Sequence, residues 1–394
     1  MKKRIFISIQ YMEIGGAERA LLGLLNAIDY SKFDVDLFIH RHIGEFMNFI
    51  PSRVNILPEI KKYTTLTRPV KDILKEGYID IAIARIMAFL KERKNAGKKI
   101  ESIAIYQYVA NYTTPLLPSL KMFGEYDLAI SFLIPHNIVL EKVNAKKKVA
   151  WIHTDYSYVS VDVENELPIW NRYDNIISIS ESVSESFLKI FPSLKNKIVL
   201  IENILSESFI TTQSLLKHDN VMNDAKIKLC TVGRFSFQKG IDRAVFICRS
   251  LIEKGLNIRW YIVGYGVDEE LIKSNITKAG MEKYFILLGK KTNPYPYIKE
   301  CDIYIQPSRY EGKAVTVREA QILGKPVVIT NFPTSRSQLL NDIDGIIVPD
   351  NIEEAANELA NFINNSAKKS RIEKYVRTHH YGNEEEINKI YQLI

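Results

Sequence analysis

Four side chains in the second half of the chain have the types and spacing to hold a diphosphate. Glu311 and Glu319 are separated by seven residues, across a turn at Gly312-Lys313 and a helix running from Ala314-Val315 to about Leu323. The apolar strand Ile303-Tyr304-Ile305 leads into that turn. A helix opening directly after a turn aims unpaired backbone N–H groups, and the positive end of its dipole, above the sheet. That arrangement favours a phosphate. One carboxylate before the helix and one on its second turn can accept hydrogen bonds from two sets of hydroxyls. A sugar on one side of a diphosphate and a ribose on the other would supply them. Two glutamates at this distance also occur in ordinary solvated helices, so the spacing needs support from elsewhere.

The run Lys228-Leu-Cys-Thr-Val-Gly233-Arg234-Phe235-Ser-Phe-Gln-Lys239-Gly240 supplies it. A strand ends in glycine and then presents Arg234 and Lys239 around a loop before the next helix. Arg grips a diphosphate by its fork and Lys acts as a point charge. Charges on a solvated loop are the plainer alternative. A diphosphate leaving group gathers negative charge as it departs, and either a metal or fixed cations and helix dipoles must stabilise it. The two Asp-x-Asp pairs, Asp34/Asp36 and Asp342/Asp344, sit at a strand entry and in a turn, and read as structural punctuation. With Arg234, Lys239 and the helix beginning near Ala314, no metal is required. His153 follows the strand Lys148-Val-Ala-Trp-Ile152, at the edge where α/β folds bind ligands. An isolated histidine is otherwise usually structural.

The elements that position these groups alternate. Arg4 to Ile9 is a strand, Gly15-Gly16-Ala17-Glu18-Arg19 a glycine turn, and Leu21, Leu22, Leu24, Leu25 and Ile28 the apolar face of a helix. The third glycine of a dinucleotide fingerprint is missing, which disfavours a Rossmann oxidoreductase. Val35 to His40, Val54 to Leu57, Tyr126 to Phe132, Asn175 to Ser180 and Lys197 to Glu202 read as further strands. Arg68 to about Phe123 is helical, with Ile79, Ile83, Ile86, Met87 and Leu90 spaced by threes and fours and followed by Lys91, Arg93, Lys94, Lys98 and Lys99. A basic amphipathic helix fits an anionic membrane surface. A core helix with a solvated basic end fits the same pattern. The aromatic segment Tyr106 to Tyr112 suits either stacking on sugar or packing. Ser206 to Asp224 is polar and aperiodic, as a linker would be. A second α/β unit follows, with Arg259 to Gly264, Phe285 to Gly289, Pro326 to Thr330 and Gly345 to Pro349 as strands.

Taken together, Gly15-Gly16-Ala17-Glu18-Arg19, Gly233 to Gly240, Gly264-Tyr-Gly266 and Glu311 to Glu319 resemble the retaining family-4 glycosyltransferases of GT-B architecture. The resemblance covers nearly the whole chain, most closely from Lys228 to Pro349. It implies an α/β fold of two doubly wound Rossmann-like domains facing across a cleft. Residues 1–205 would form the acceptor-side domain, 206–380 the nucleotide-sugar domain, and 381–394 a helix crossing back to the first. It implies metal-independent, retaining transfer of a hexose-type sugar from a nucleotide diphosphate sugar, UDP favoured over GDP, with no cofactor. His153, Glu311, Arg234 and Lys239 would form the reacting centre. Gly16, Gly233, Arg234, Lys239, Gly264, Gly312, Lys313, Ala314, Val315 and Glu319 would contact the donor. Lys313 departs from the apolar or aromatic residue usual at its position, and this bears on donor identity. A nucleotide-sugar epimerase or a phosphorylase of the same fold, or a non-catalytic sugar-binding subunit, are the alternatives.

With 394 residues, 46% apolar and 25% charged, the chain is expected to be a two-domain globular protein. Its net charge of +7 is concentrated, because Lys61 to Lys148 holds sixteen Lys/Arg against eight Asp/Glu. That half would attract anionic lipid, a polyanionic glycan or nucleic acid. No nucleic-acid module accompanies the charge, and nucleic acid is not an expected partner. Three scattered cysteines suit a reducing compartment. No apolar run approaches the roughly 20 residues that span a bilayer. The expectation is a cytoplasmic protein, peripheral at the inner face of the plasma membrane if a saccharide or lipid-linked acceptor is held there for capsule, polysaccharide or glycolipid synthesis.

Overall fold

The computed structural model describes residues 2–95, 101–102, 104–219, 221–222 and 226–394. It divides into one unit of Met1–Ile204 with Glu384–Ile394, and a second of Leu205–Asn383. The first unit contains β1 (Lys3–Ile9), β2 (Phe33–Ile39), β3 (Asn55–Ile56), β4 (Glu101–Ser102), β5 (Glu125–Ser131), β6 (Asn144–Ile152), β7 (Val159–Ser160), β8 (Asn175–Ser178) and β9 (Ile198–Leu200). Seven of these make a parallel sheet in the order β3-β2-β1-β5-β6-β8-β9, while β4 and β7 pair separately. Strand β1 shows why. Ile5 to Ile9 are all buried, without the alternation of a half-exposed strand, because helices cover both faces of a parallel sheet. Its register, Lys3 opposite Phe33 through Ile9 opposite Ile39, sets the chain ends that carry the loops.

The second unit repeats the plan with β10 (Ile227–Val232), β11 (Ile258–Val263), β12 (Phe285–Gly289), β13 (Ile303–Gln306), β14 (Val327–Thr330) and β15 (Gly345–Val348). Their order is β12-β11-β10-β13-β14-β15, all parallel. The winding direction reverses between β10 and β13, and between β1 and β5 in the first unit. Loops leaving neighbouring strands at such a reversal diverge and open a crevice. The C-terminal residues dock within the first unit. Tyr391 stacks on Phe33 at 4.3 Å and accepts the Asp29 N–H at 2.8 Å, and Glu386 accepts the Glu202 N–H at 3.1 Å.

Two expectations need correction. The polar stretch after Ser206, read as a linker, contains the helix Glu207–Ser214, with the Ser206 hydroxyl capping the Phe209 N–H at 3.4 Å. Only Ile210 and Ser214 are buried on it, too few positions to leave a period in the sequence. Glu207 anchors it by accepting the N–H groups of Tyr381 at 2.7 Å and Gly382 at 2.8 Å. The second concerns the helix Ile79–Asn95. Its large apolar residues Ile79, Ile83, Ile86, Met87 and Leu90 are exposed, so they are not core. Ile81, Ala82, Ala84, Arg85 and Ala88 are buried instead, and Ala88 packs against Ala104 and Tyr108 of the neighbouring helix Ala104–Thr113. Lys98 and Lys99 lie outside the described residues. Tyr106 is exposed, whereas Tyr108 is buried and donates to Asp162 at 2.6 Å.

One buried acid makes a pH-dependent contribution. Glu166, in the helix Val163–Trp170, is 4% exposed and accepts the Trp170 indole N–H at 3.3 Å. Burial, with Asp162 adding repulsion, pushes its carboxyl up to about 7. A raised carboxyl costs nothing well below its unfolded value of 4.5, and its penalty grows between 4.5 and about 7 and is complete above that. The full penalty is about 3 kcal/mol. Glu166→Gln is therefore expected to leave stability at pH 4.5 nearly unchanged and to raise it by about 2–3 kcal/mol at pH 8, read from urea midpoints at the two pH values. Equal effects at both would show that burial does not hold this proton.

Candidate active site

The loops that leave β10 and β13 at the reversal point are joined by their backbones. After β10, Gly233 donates to the Val263 carbonyl at 3.0 Å and Phe235 to the Tyr265 carbonyl at 2.9 Å. A side chain at Gly264 would put its Cβ 1.9 Å from the Gly233 carbonyl oxygen, so this zip requires glycine. The short turn Phe237–Lys239 then ends at Gly240, with φ of +64°, before the helix Ile241–Glu253. That left-handed conformation favours glycine. A Cβ there would also lie 2.0 Å from the Pro307 carbonyl oxygen, in the loop after β13.

Side chains lock the two loops further. Buried Arg243 donates to the carbonyls of Pro307 at 3.1 Å and Ser308 at 2.9 Å, and pairs with Asp350. Arg309 grips Asp242 with two bonds of 2.7 Å while its guanidinium lies 4.1 Å over the Phe237 ring. The Arg309 N–H reaches the Gln238 carbonyl at 2.8 Å. These bonds fix where Lys239 and Glu311 point.

They point at each other. Lys239 Nζ is 2.6 Å from Glu311 Oε1, which also accepts from Ser308 Oγ at 2.5 Å and Gln306 Nε2 at 3.1 Å. Gln306 is itself held by Tyr304 at 2.8 Å and Thr316 at 3.1 Å. Thr334 donates to the Glu311 carbonyl at 2.7 Å. A buried carboxylate with one oxygen saturated by a cation, a hydroxyl and an amide has a fixed direction. Arg234 differs. It is exposed and has no ion-pair partner among the described residues.

The helix after the turn is Val315–Ile322, with Ala314 as its cap. The Ala314 N–H is taken by Gln338 Oε1 at 2.9 Å. Gly312, Lys313 and Val315 are half-buried around this start. Glu319 is fully buried, and Tyr295 donates to its Oε1 at 2.9 Å. The second unit therefore brings Gly233, Arg234, Lys239, Gly264, Glu311, Gly312, Lys313, Ala314 and Val315 onto adjoining loops, with Glu319 beneath them.

His153 and Gly16 belong to the other unit. The His153 ring stacks on Trp151 at 5.8 Å and meets Phe132 at 4.6 Å. Its Nε2 is buried without a partner, and burial pushes the imidazole down to about 3, so it is neutral at physiological pH. A Cβ at Gly16 would meet nothing, whereas one at Gly15 would lie 2.1 Å from the Glu18 carboxylate. The Asp-x-Asp pairs are bound up structurally. Asp36 accepts from Arg4 at 2.8 Å, Tyr126 at 2.7 Å and Asn55 at 2.6 Å, and Asp344 accepts the Leu340 N–H at 2.7 Å.

The sequence reading missed Ser308, Gln306, Tyr295, Arg243 and Gln338. Gln306 and Ser308 carried a usable signal, being polar residues two apart at the end of an apolar strand and so on one face. Tyr295 carried none, since nothing local ties it to Glu319.

Residues 213–379 match the family model described as glycosyl transferases, group 1. An uncharacterized glycosyltransferase of Haemophilus influenzae is 25% identical over 93% of this chain and 91% of its own. The capsular polysaccharide biosynthesis glycosyltransferase CapM of Staphylococcus aureus is 24% identical over 50% of this chain and 54% of its own. Two uncharacterized glycosyltransferases of Methanocaldococcus jannaschii are matched over only 43% and 56% of their length. The crystal structure of Anabaena HepE in complex with UDP-glucose superimposes with a TM-score of 0.67 at 15% identity, covering 99% of this chain and 98% of that one. The resemblance to glycosyltransferases is borne out, and the fold class is GT-B.

Two substitutions test this architecture. Gly240→Ala forces a left-handed alanine against a carbonyl and is expected to cost about 2–4 kcal/mol of stability. Lys239→Met leaves Glu311 buried without its cation, and about 1–3 kcal/mol is expected to be lost. Urea denaturation measures both. A neutral Gly240→Ala would mean that the loops are not in this contact.

Proposed function

We propose that this chain, whose residues 213–379 match glycosyl transferases of group 1, moves a hexose-type sugar from UDP-sugar to a saccharide or lipid-linked acceptor. The observation that carries the reading is the loop pair after β10 and β13. It sets an exposed arginine, a glycine-lined backbone and an oriented glutamate around one sheet edge. Its support from relatives is the group match together with a capsular polysaccharide glycosyltransferase and a UDP-glucose complex among similar proteins.

In the reaction the bond between the anomeric carbon and the diphosphate oxygen breaks as the acceptor oxygen adds, and the acceptor proton is released. Negative charge accumulates on the departing diphosphate. Arg234, exposed and without an ion-pair partner among the described residues, meets that charge by its fork, with Lys239 beside it. Because these cations and the helix beginning at Val315 supply the stabilisation, the transfer is metal-independent. Glu311 accepts from a hydroxyl of the transferred sugar through Oε2, since Oε1 is saturated. Glu319, steadied by Tyr295, takes the ribose. His153, neutral by burial, assists as a hydrogen-bonding group and not as a cation. The acceptor oxygen enters on the leaving-group face, so the anomeric configuration is retained. The basic stretch Lys61 to Lys148 of the first unit suits an acceptor held at an anionic membrane surface, as in surface polysaccharide or glycolipid synthesis.

Thermal unfolding with UDP, GDP, ADP and NAD, without divalent metal, is the direct test. UDP is expected to raise the midpoint, by an amount growing with the logarithm of its concentration over Kd. Arg234→Ala is expected to lower kcat/KM on the order of a hundredfold. Wild-type turnover in Arg234→Ala, or a thermal shift with NAD alone, would overturn the reading. Conversion of a UDP-hexose without any acceptor would redirect it to an epimerase.

A further inference from the structure

The first unit carries an apolar surface that its own fold does not use. The helix Ile79–Asn95 turns Ile79, Ile83, Ile86, Met87, Phe89 and Leu90 outward, each between 44% and 62% exposed. At about 100° per residue these six cover a face about 160° wide. Monomeric proteins rarely leave a contiguous apolar patch larger than a few hundred Å². The orientation is not accidental. On the opposite side Arg85 donates to the Thr65 carbonyl at 2.7 Å, and Ala88 packs with Ala104 and Tyr108. The helix is held down by Ile81, Arg85 and Ala88, with six other large apolar residues left outside.

Charge around the face is one-sided. Between Lys61 and Asn95 there are nine Lys/Arg and four Asp/Glu. Two of those acids are neutralised locally, Asp80 by Lys62 at 2.7 Å and Glu76 by Arg68. Lys71, Lys75 and Arg93 remain exposed without an ion-pair partner among the described residues. Leu74, 43% exposed, sits between Lys71 and Lys75 on the short helix Val70–Lys75. Lys91 rests its ammonium 4.6 Å over the Tyr108 ring, at the end of the apolar stripe.

We propose that this face is a docking surface for an anionic phospholipid membrane. The inference deepens the membrane-held acceptor of the preceding section, and rests on that reading for its purpose but not for its physics. A helix lying in the interface plane sinks its apolar residues to the acyl boundary while flanking cations meet the headgroups. A second copy of the chain fits less well, because it would bring net positive charge against net positive charge. The face is also wider than the two-stranded coiled-coil seam, which uses a strict pair of positions per heptad.

The test is flotation of the whole chain with vesicles of phosphatidylcholine, and with vesicles containing equal parts of phosphatidylglycerol, alongside analytical ultracentrifugation without lipid. The wild-type protein is expected to float only with anionic vesicles and to be released by high salt. The double variant Ile83→Gln/Leu90→Gln and the charge reversal Arg93→Glu are each expected to lower partitioning about tenfold or more. Both alter exposed residues, so unfolding midpoints and the UDP-induced shift should match wild type. A protein that responds to UDP yet ignores anionic vesicles overturns this inference alone. Self-association that Ile83→Gln/Leu90→Gln abolishes, without vesicle binding, overturns it in favour of a second copy. Vesicle binding retained by both variants removes it from this helix.

Discussion

The contact between Gly240 and the Pro307 carbonyl governs the second unit's site. Strands β10 and β13 are neighbours in the sheet, and their exits would ordinarily diverge at the reversal of winding. Instead a left-handed glycine lets one loop rest on the backbone of the other, and Arg243 closes the join by donating to Pro307 and Ser308. A backbone-to-backbone approach of this kind leaves no freedom for the side chains that follow. Lys239 precedes the glycine by one residue and Glu311 follows the proline by four, so their meeting is a consequence of the join. The zip between Gly233 and Gly264 does the same for Arg234, holding its stem while leaving its guanidinium in solvent.

The charged groups of the two units are governed by opposite physics. Around Glu311, hydrogen bonds from Ser308 and Gln306 and the Lys239 ammonium keep a buried carboxylate aimed. Such a group can grip a hydroxyl without first having to be ordered, which is the advantage of preorganisation. In the first unit, desolvation wins. His40, His136 and His153 are each pushed down to about 3 by burial, and Ser8 and Ser131 partner the first two. Neutral imidazoles beside strand ends suit recognition of uncharged hydroxyls better than recognition of phosphate.

The helical excursion between β3 and β5 shows a different economy. Its buried residues include Tyr63, Ile73, Ile81 and Tyr108 beside the alanines and Arg85 of the Ile79–Asn95 helix, yet six large apolar side chains of that helix are left in water. Hydrophobic burial is the dominant driving force of folding, so a fold that forgoes it on one helix has another use for that face.

Much of this was determined by sequence alone. Continuous apolar runs such as Ile5 to Ile9 and Ile303 to Ile305 mark strands buried on both sides, and glycine next to Arg234 and before Ile241 marks the loop that must bend sharply. Local chemistry writes these features, because backbone preference and hydrophobic period act over a few residues. The short helix Glu207–Ser214 escaped because two buried residues make no period. Contacts over long separation were decided only by tertiary structure. Lys239 and Glu311 are 72 residues apart, and Tyr295 reaches Glu319 from a different helix. Their pairing depends on which strands become neighbours, and no local pattern encodes that. The direction of the Ile79–Asn95 stripe is the same case. Periodicity states that a helix has an apolar face, but the side that meets the protein is set by the neighbouring elements, and here Ile81, Ala82, Ala84 and Ala88 are buried while Ile79, Ile83 and Ile86 are not.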